Sequence, residues 1–347
     1  MDLYSFLLRQ VLFRLDAEAA HDLVLACLAH HRIWSSFAGR IISGPPPQPY
    51  PLSLFNLQFR NPVGLAAGMD KNGVALRVWE KLGFGFVEIG TVTALPQSGN
   101  PKPRLFRFPE LGALINRMGF NNNGARNLAL RLETLRACGK WPAIPIGINI
   151  GKSKIIPLES AHADYLASFQ LLYRHSDYVV LNVSSPNTPG LRNLQNVESL
   201  AKILGTLRDW EGSASKPLLL KIAPDLAPKE ITTIANLCEK EQLAGIVATN
   251  TTLDHSAISS SRRDEIGGLS GRPLREKSTA VIRQLRQTTQ LPIIGSGGIF
   301  SSADANEKFQ AGAHLVQIYT GFIYRGPALI REICAGLPYS CHRNSLI

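Results

Sequence analysis

Residues 181–190, LNVSSPNTPG, bring an apolar run and a polar one together at a single point. Tyr178, Val179, Val180 and Leu181 read as part of a buried strand over 177–183, after which come small polar residues, two prolines and a glycine. Asn182, Ser185, Asn187 and Thr188 offer amides and hydroxyls, groups that orient a planar polar ligand without adding charge. The same residue types make ordinary strand exits, so the stretch gains meaning only from its company.

That company is regular. From Leu52 onward, short apolar runs at 62–68, 86–92, 145–150, 177–183, 218–223, 245–249, 292–295 and 315–319 read as strands alternating with helices. The helix over 227–241 is typical, with Pro228 in its first turn and Glu230 at its positive end. Eight strands in this order predict a parallel (β/α)8 TIM barrel, a fold that builds its active site at the carboxyl ends of the strands. Those ends carry Lys71, Thr91, Asn149, Asn182, Lys221, Thr249 with Asn250, Gly297 with Gly298, and Tyr319 with Thr320.

The last two ends, GSGGIFSSAD (295–304) and IYTGFIYRGP (318–327), are glycine-bearing turns that open helices and suit a phosphate. Neither is a dinucleotide or Walker fingerprint. Lys71 and Lys221 approach the mouth from different parts of the strand order. A lysine beside a flavin pyrimidine edge stabilises the negative charge that reduction creates; elsewhere on a rim it is a salt-bridge residue. Between the second and third strands, 101–124 reads as a long loop whose Asn116, Asn121 and Asn122, set among Met118, Gly119 and Phe120, suit the cover of a planar ligand.

At 347 residues and 45% hydrophobic content the chain buries a large core, and its net charge of +11 suits RNA, an anionic membrane surface or a phosphate-bearing ligand. The five cysteines show no CxxC spacing and read as reduced thiols; with no HExxH among the eight histidines, no metal site is expected. The first 42 residues read as two apolar helices, the second capped by Asp16 and running through Ile33 or beyond. Asp2 and Tyr4 replace a basic signal n-region, and Arg9, Arg14, Asp16, Glu18 and Asp22 interrupt any membrane-spanning window. Four arginines and four acids balance there, so contact with a bilayer would rest on apolar burial. GPPPQPYP (44–51) reads as a linker separating 1–43 from the strand ends, with the barrel over 52–337 and a tail at 338–347.

In combination, AAGMDKNG (66–73), EIGTVT (88–93), INRMGFNN (115–122), GINIGK (147–152), NVSSPNTPGLR (182–192), KIAPDL (221–226), ATNTT (248–252), GGLSGRPL (267–274), GSGGI (295–299) and VQIYTGF (316–322) resemble the class 2, quinone-dependent dihydroorotate dehydrogenases. The resemblance implies oxidation of dihydroorotate to orotate in pyrimidine biosynthesis, with electrons passed through one FMN per chain to a membrane quinone. It places FMN against Ala67, Gly68, Met69, Asp70 and Lys71, against Thr91, Asn149 and Asn182, and against Lys221, Thr249, Gly271, Gly298, Tyr319 and Thr320. Dihydroorotate falls to Lys71, to Asn116, Arg117, Met118, Gly119 and Phe120, and to Asn182, Asn187, Asn250 and Thr251. Ser185 matches the catalytic base, with Thr188 and a water as its relay. His21, Arg107 and Tyr319 become candidates for the inner end of a quinone tunnel.

Class 1 relatives place a cysteine at the position of Ser185 and lack the helix pair, so both features favour class 2. A peripheral protein on the cytoplasmic face of the cell membrane follows, with a lipid surface but no nucleic acid among its partners and no need of a second subunit. Thr320 stands where some relatives have serine, and nothing after Leu337 matches. An FMN barrel acting on tRNA would suit the charge, but that chemistry needs a cysteine near a strand end and none lies there. A non-catalytic lipid- or RNA-binding barrel leaves the polar strand ends without a purpose.

Overall fold

In a computed structural model, residues 4, 8–30, 44–210, 216–258 and 265–338 are described. Thirteen strands occur among them: β1 Leu52–Leu54, β2 Leu57–Phe59, β3 Val63–Leu65, β4 Phe86–Val92, β5 Leu105–Phe108, β6 Ala113–Asn116, β7 Ile146–Ile150, β8 Tyr178–Asn182, β9 Leu218–Ile222, β10 Gly245–Ala248, β11 Gly268–Gly271, β12 Ile293–Ser296 and β13 Leu315–Ile318. Eight of these, β3, β4, β7, β8, β9, β10, β12 and β13, close in chain order into the expected parallel barrel, with Val316 pairing Val63 across the seam. Helices follow the strands, and both faces of each barrel strand are covered, which is why the strands read as continuous apolar runs and not as alternating ones.

The barrel is filled by pairing large side chains with absent ones. A Cβ on Gly64 would lie 2.2 Å from the Phe86 ring, and one on Gly147 would lie 2.1 Å from the Tyr178 ring. Below these rings the β1–β2 hairpin plugs the amino end, with Leu52, Leu54 and Phe59 packed on Phe86 and Tyr178, and Phe59 edge-on to Phe86 at 5.4 Å. Phe55 and Asn56 turn the hairpin with φ of 56° and 59°, the two left-handed residues that a tight two-residue turn requires.

Two expectations are corrected. The stretch 101–124 is not a plain loop: β5 and β6 form an antiparallel hairpin joined by β11, which pairs Gly268 with Asn116 and Gly271 with Ala113. Its third strand arrives some 150 residues later in the chain, a non-local pairing that no local pattern can announce. The second correction concerns the amino-terminal segment. α1 (Arg9–Leu12) and α2 (Ala17–Ala29) are present, and Asp16 caps α2 by accepting from the Glu18 and Ala19 amides at 3.0 Å. α2 ends at Ala29 because His30 turns extended (ψ 93°), while Ile33 lies outside the described residues.

The linker does not set α2 apart from the strand ends. Arg104 of the loop before β5 donates from Nη2 to Glu18 at 2.7 Å, with both side chains buried, and His21 Nε2 lies 2.8 Å from the Met69 carbonyl. Removing one member of a buried pair of this kind costs about 3–5 kcal/mol, several times the worth of an exposed pair. Among the described residues no helix is long and apolar enough to cross a membrane.

Candidate active site

Above the Phe86–Tyr178 layer the barrel interior turns polar. Glu88 of β4, fully buried, accepts from Asn149 Nδ2 at 2.8 Å and Gln317 Nε2 at 2.5 Å, and Lys221 Nζ lies 3.7 Å away. Thr91 Oγ1 donates to Asn149 Oδ1 at 2.5 Å and accepts from Asn182 Nδ2 at 2.8 Å. One carboxylate therefore orders side chains from five strands or strand ends, and the strands supply little else that is charged. The Tyr165 hydroxyl, buried in the helix between β7 and β8, donates to the Asn182 carbonyl at 2.8 Å and fixes the end of β8.

A cavity opens on this layer at the carboxyl ends of the strands. Its wall includes Ala67, Gly68, Lys71, Thr91, Asn182, Ser185, Lys221 and Thr249, and then Gly271, Gly298, Tyr319 and Thr320. The β5–β6–β11 side adds Asn116, Met118, Gly119 and Phe120, faced by Asn187, Asn250 and Thr251. Asn187 Nδ2 donates to Asn116 Oδ1 at 3.0 Å and its amide donates to Ser185 Oγ at 3.2 Å, so the serine loop and the β6 loop are held together. Asn250 Nδ2 reaches Ser184 Oγ at 3.0 Å.

Four of the residues expected at FMN or dihydroorotate stand off the wall. Asp70 is consumed by structure: its carboxylate accepts from the Val74 and Ala75 amides at 2.8 Å and from Trp79 Nε1 at 3.0 Å, pinning the next helix. Met69 faces α2 through its carbonyl. Asn149 lies beneath the wall in the Glu88 network, and Arg117 turns outward to Glu265 at 2.9 Å. The wall also holds Gly297, expected at a strand end, and Ser270, Ser296 and Gln317, which pattern reading does not single out. Glu88 carried a usable signal, a lone acid in the otherwise apolar strand FVEIGTV. Thr188, expected as a relay, is buried with its Oγ1 lacking a partner.

Lys71 and Lys221 are the only charged side chains on the wall among the described residues, and both are buried. Lys71 Nζ donates to the Gly68 carbonyl at 2.9 Å, and burial, reinforced by the Arg104 charge, lowers its pKa to about 8. Burial pushes the Tyr319 phenol up to about 12, so it stays protonated. Among the described residues no carboxylate, histidine or cysteine lines the wall, which leaves hydroxyls as the proton acceptors and makes the site complementary to an anion.

A closed parallel barrel with a cationic, amide-rich cavity at its carboxyl ends defines a (β/α)8-barrel enzyme. The family model for dihydroorotate dehydrogenase matches residues 51–340. The chain is 52% identical over 348 residues to the dihydroorotate dehydrogenase (quinone) of Gloeobacter violaceus, covering 99% of this chain and 96% of that protein. It is 56% identical over 300 residues to the one from Synechococcus elongatus, covering 82% and 78% respectively. Among solved structures, the ligand-free dihydroorotate dehydrogenase of Eimeria tenella aligns with a TM-score of 0.83 and 37% identity over 92% of this chain and 94% of that one. The chain belongs to the dihydroorotate dehydrogenase family, in its quinone-dependent class 2, and is a flavin-dependent oxidoreductase.

The Lys71 charge has a pH consequence. The ammonium is present below about 8 and lost above it, so affinity for the anion orotate is expected to be flat at neutral pH and to fall as pH rises through that value. Flavin spectral titrations with orotate across this range test it, and Lys71→Ala is expected to abolish the dependence. An unchanged profile in the variant would assign the titration to another group.

Proposed function

We propose that the protein oxidises dihydroorotate to orotate, with FMN as its cofactor and a membrane quinone as the second electron acceptor. The observation that carries this reading is the charge pattern of the cavity, two buried lysines and, among the described residues, no carboxylate. Dihydroorotate brings one carboxylate and a ring of amide groups. Lys71 complements the first, while Asn116, Asn187 and Asn250 match the second, supplying orientation as well as binding.

The wall fits a flavin mononucleotide. Gly298 has φ of 74°, and a Cβ there would lie 2.4 Å from Arg275 Cβ; on Gly68, with φ of 103°, a Cβ would lie 3.3 Å from the Tyr319 ring. At both positions the wall is bare backbone, because the space a Cβ would take is already crowded by Arg275 or by the Tyr319 ring. Gln317 Oε1 and Thr251 Oγ1 are buried without partners and are left for ligand donors. Ala67, Gly68, Thr91, Asn182, Lys221 and Thr249 would hold the ring, and the turns at Gly298 and Tyr319–Thr320 the phosphate. When bound, FMN supplies a two-electron acceptor for the hydride of C6 and a donor to the quinone.

Ser185 takes the proton from C5. A serine hydroxyl is a very weak base, so it needs help. The Asn187 amide fixes its oxygen, and Thr188 with a water passes the proton outward. Quinone approaches from the helix pair, where Arg107 donates to the Leu12 carbonyl at 3.0 Å and sits 4.8 Å from the Phe13 ring centroid, with His21 and Tyr319 deeper in. Val11, Leu15 and Leu23 expose apolar surface on this segment (56%, 40% and 49%). Peripheral attachment to the cytoplasmic face of the cell membrane follows, and a single chain suffices.

Ser185→Ala is expected to keep FMN and dihydroorotate while slowing flavin reduction by roughly 10² to 10⁴, the usual worth of a positioned base. Stopped-flow reduction at a near wild-type rate would remove Ser185 from this role. Attachment by apolar burial is expected to survive salt, because exposed charges separated by more than about 10 Å are screened at 0.1 M and buried area is not. Co-sedimentation of the full chain with anionic vesicles should therefore be equal at low and high salt. Release at high salt would make the attachment electrostatic.

A further inference from the structure

We propose that Glu18 and Arg104 are positioning residues for the dihydroorotate side of the cavity, so that the amino-terminal helix pair serves the first half-reaction as well as the second. The inference rests on the functional reading above.

The geometry starts from one guanidinium. Arg104, 6% exposed, places Nε 3.2 and 3.1 Å from the two Glu18 oxygens and Nη2 2.7 Å from Oε1, a bidentate pair that ties the first turn of α2 to the barrel. Its remaining nitrogen, Nη1, donates to the Ser98 and Asn100 carbonyls at 2.6 and 2.7 Å. The guanidinium thus closes the turn that carries Asn100.

Asn100 holds the two substrate loops together. Its Nδ2 donates to the Arg117 carbonyl and to the Asn187 carbonyl, each at 3.0 Å, and its amide donates to the Met118 carbonyl at 3.0 Å. No room is left for slippage: a Cβ on Gly119 would lie 2.7 Å from Asn100 Cγ, and one on Gly99 would lie 2.7 Å from Arg104 Nη1. A chain of direct contacts therefore runs from Glu18 through Arg104 and Asn100 to Asn187, the residue whose amide meets Ser185 Oγ. A second contact from α2, His21 to the Met69 carbonyl, lies two residues before Lys71.

Charge runs the same way. Lys71 is surrounded by Arg104, which disfavours its ammonium, and by Glu18, Asp22 and Asp70, which favour it. Arg104 and Lys102 hold the Glu18 carboxyl below its ordinary range against the opposing effect of burial, so Glu18 is ionised at neutral pH. It neutralises a buried cation that would otherwise repel the substrate-binding lysine.

The test uses full-length holoenzyme and follows anaerobic flavin reduction against dihydroorotate concentration. In Glu18→Gln the concentration for half-maximal reduction is expected to rise roughly tenfold, within the usual range of coupling between linked sites, and the limiting rate to change far less. The pH at which dihydroorotate affinity falls should move below about 8, and Glu18→Asp should recover part of the loss. Asp22→Asn, an exposed change that leaves the Arg104 pair intact, should act in the same direction more weakly, and it decides the matter if Glu18→Gln does not fold. Unchanged affinity and pH profile in these variants, with only a lower melting temperature, would overturn the proposal and leave the pair a structural tie. A wild-type flavin that dihydroorotate fails to reduce would overturn instead the functional reading on which it rests.

Discussion

A carboxylate sealed inside a parallel barrel must be answered by cations and donors in place, and Glu88 imposes that demand on the whole upper layer of this protein. Lys221, Asn149 and Gln317 answer it, and Thr91 and Asn182 are fixed in turn through Asn149. A half-satisfied network of this kind would be worse than an apolar core. With the Glu88 carboxylate answered, and Gln317 Oε1 the one acceptor of these side chains left without a partner, the layer is a rigid floor whose exposed face presents ammonium and amide groups at set positions. Preorganisation of this sort is what stabilises developing negative charge without reorganisation at the moment of reaction.

Most of this frame was legible in the sequence, for physical reasons. Parallel strands buried on both faces write themselves as runs such as YVVL and PIIG, and the polar residue that ends each run marks the face where ligands bind. The cavity indeed gathers Lys71, Asn182, Ser185, Lys221 and Tyr319 from four different strand ends. Less legible was anything that depends on non-local pairing. β11 completes its sheet across some 150 residues, and its glycines make sense only against Thr251 and Ala113 in space. Asp70, a polar residue inside the motif AAGMDKNG, carries a second role that the motif does not announce: its carboxylate anchors a helix.

The proline-rich stretch taught a similar lesson. Composition marks a boundary in the chain, but it does not report whether the segments on either side touch. Here they do, through a buried arginine whose other contacts lead to the serine loop. A second contact, His21 to the Met69 carbonyl, ties α2 to the loop that carries Lys71. A helix pair with exposed apolar residues on one side and a buried carboxylate on the other belongs to the enzyme as much as to its surroundings.

The central claim, that this cavity passes electrons from dihydroorotate to a quinone through a bound flavin, is tested most directly by the visible spectrum of the purified protein under anaerobic conditions. Dihydroorotate should bleach the flavin band, a quinone should restore it, and NADH should leave it unchanged. A flavin band untouched by dihydroorotate, or bleached as readily by NADH, would contradict the account.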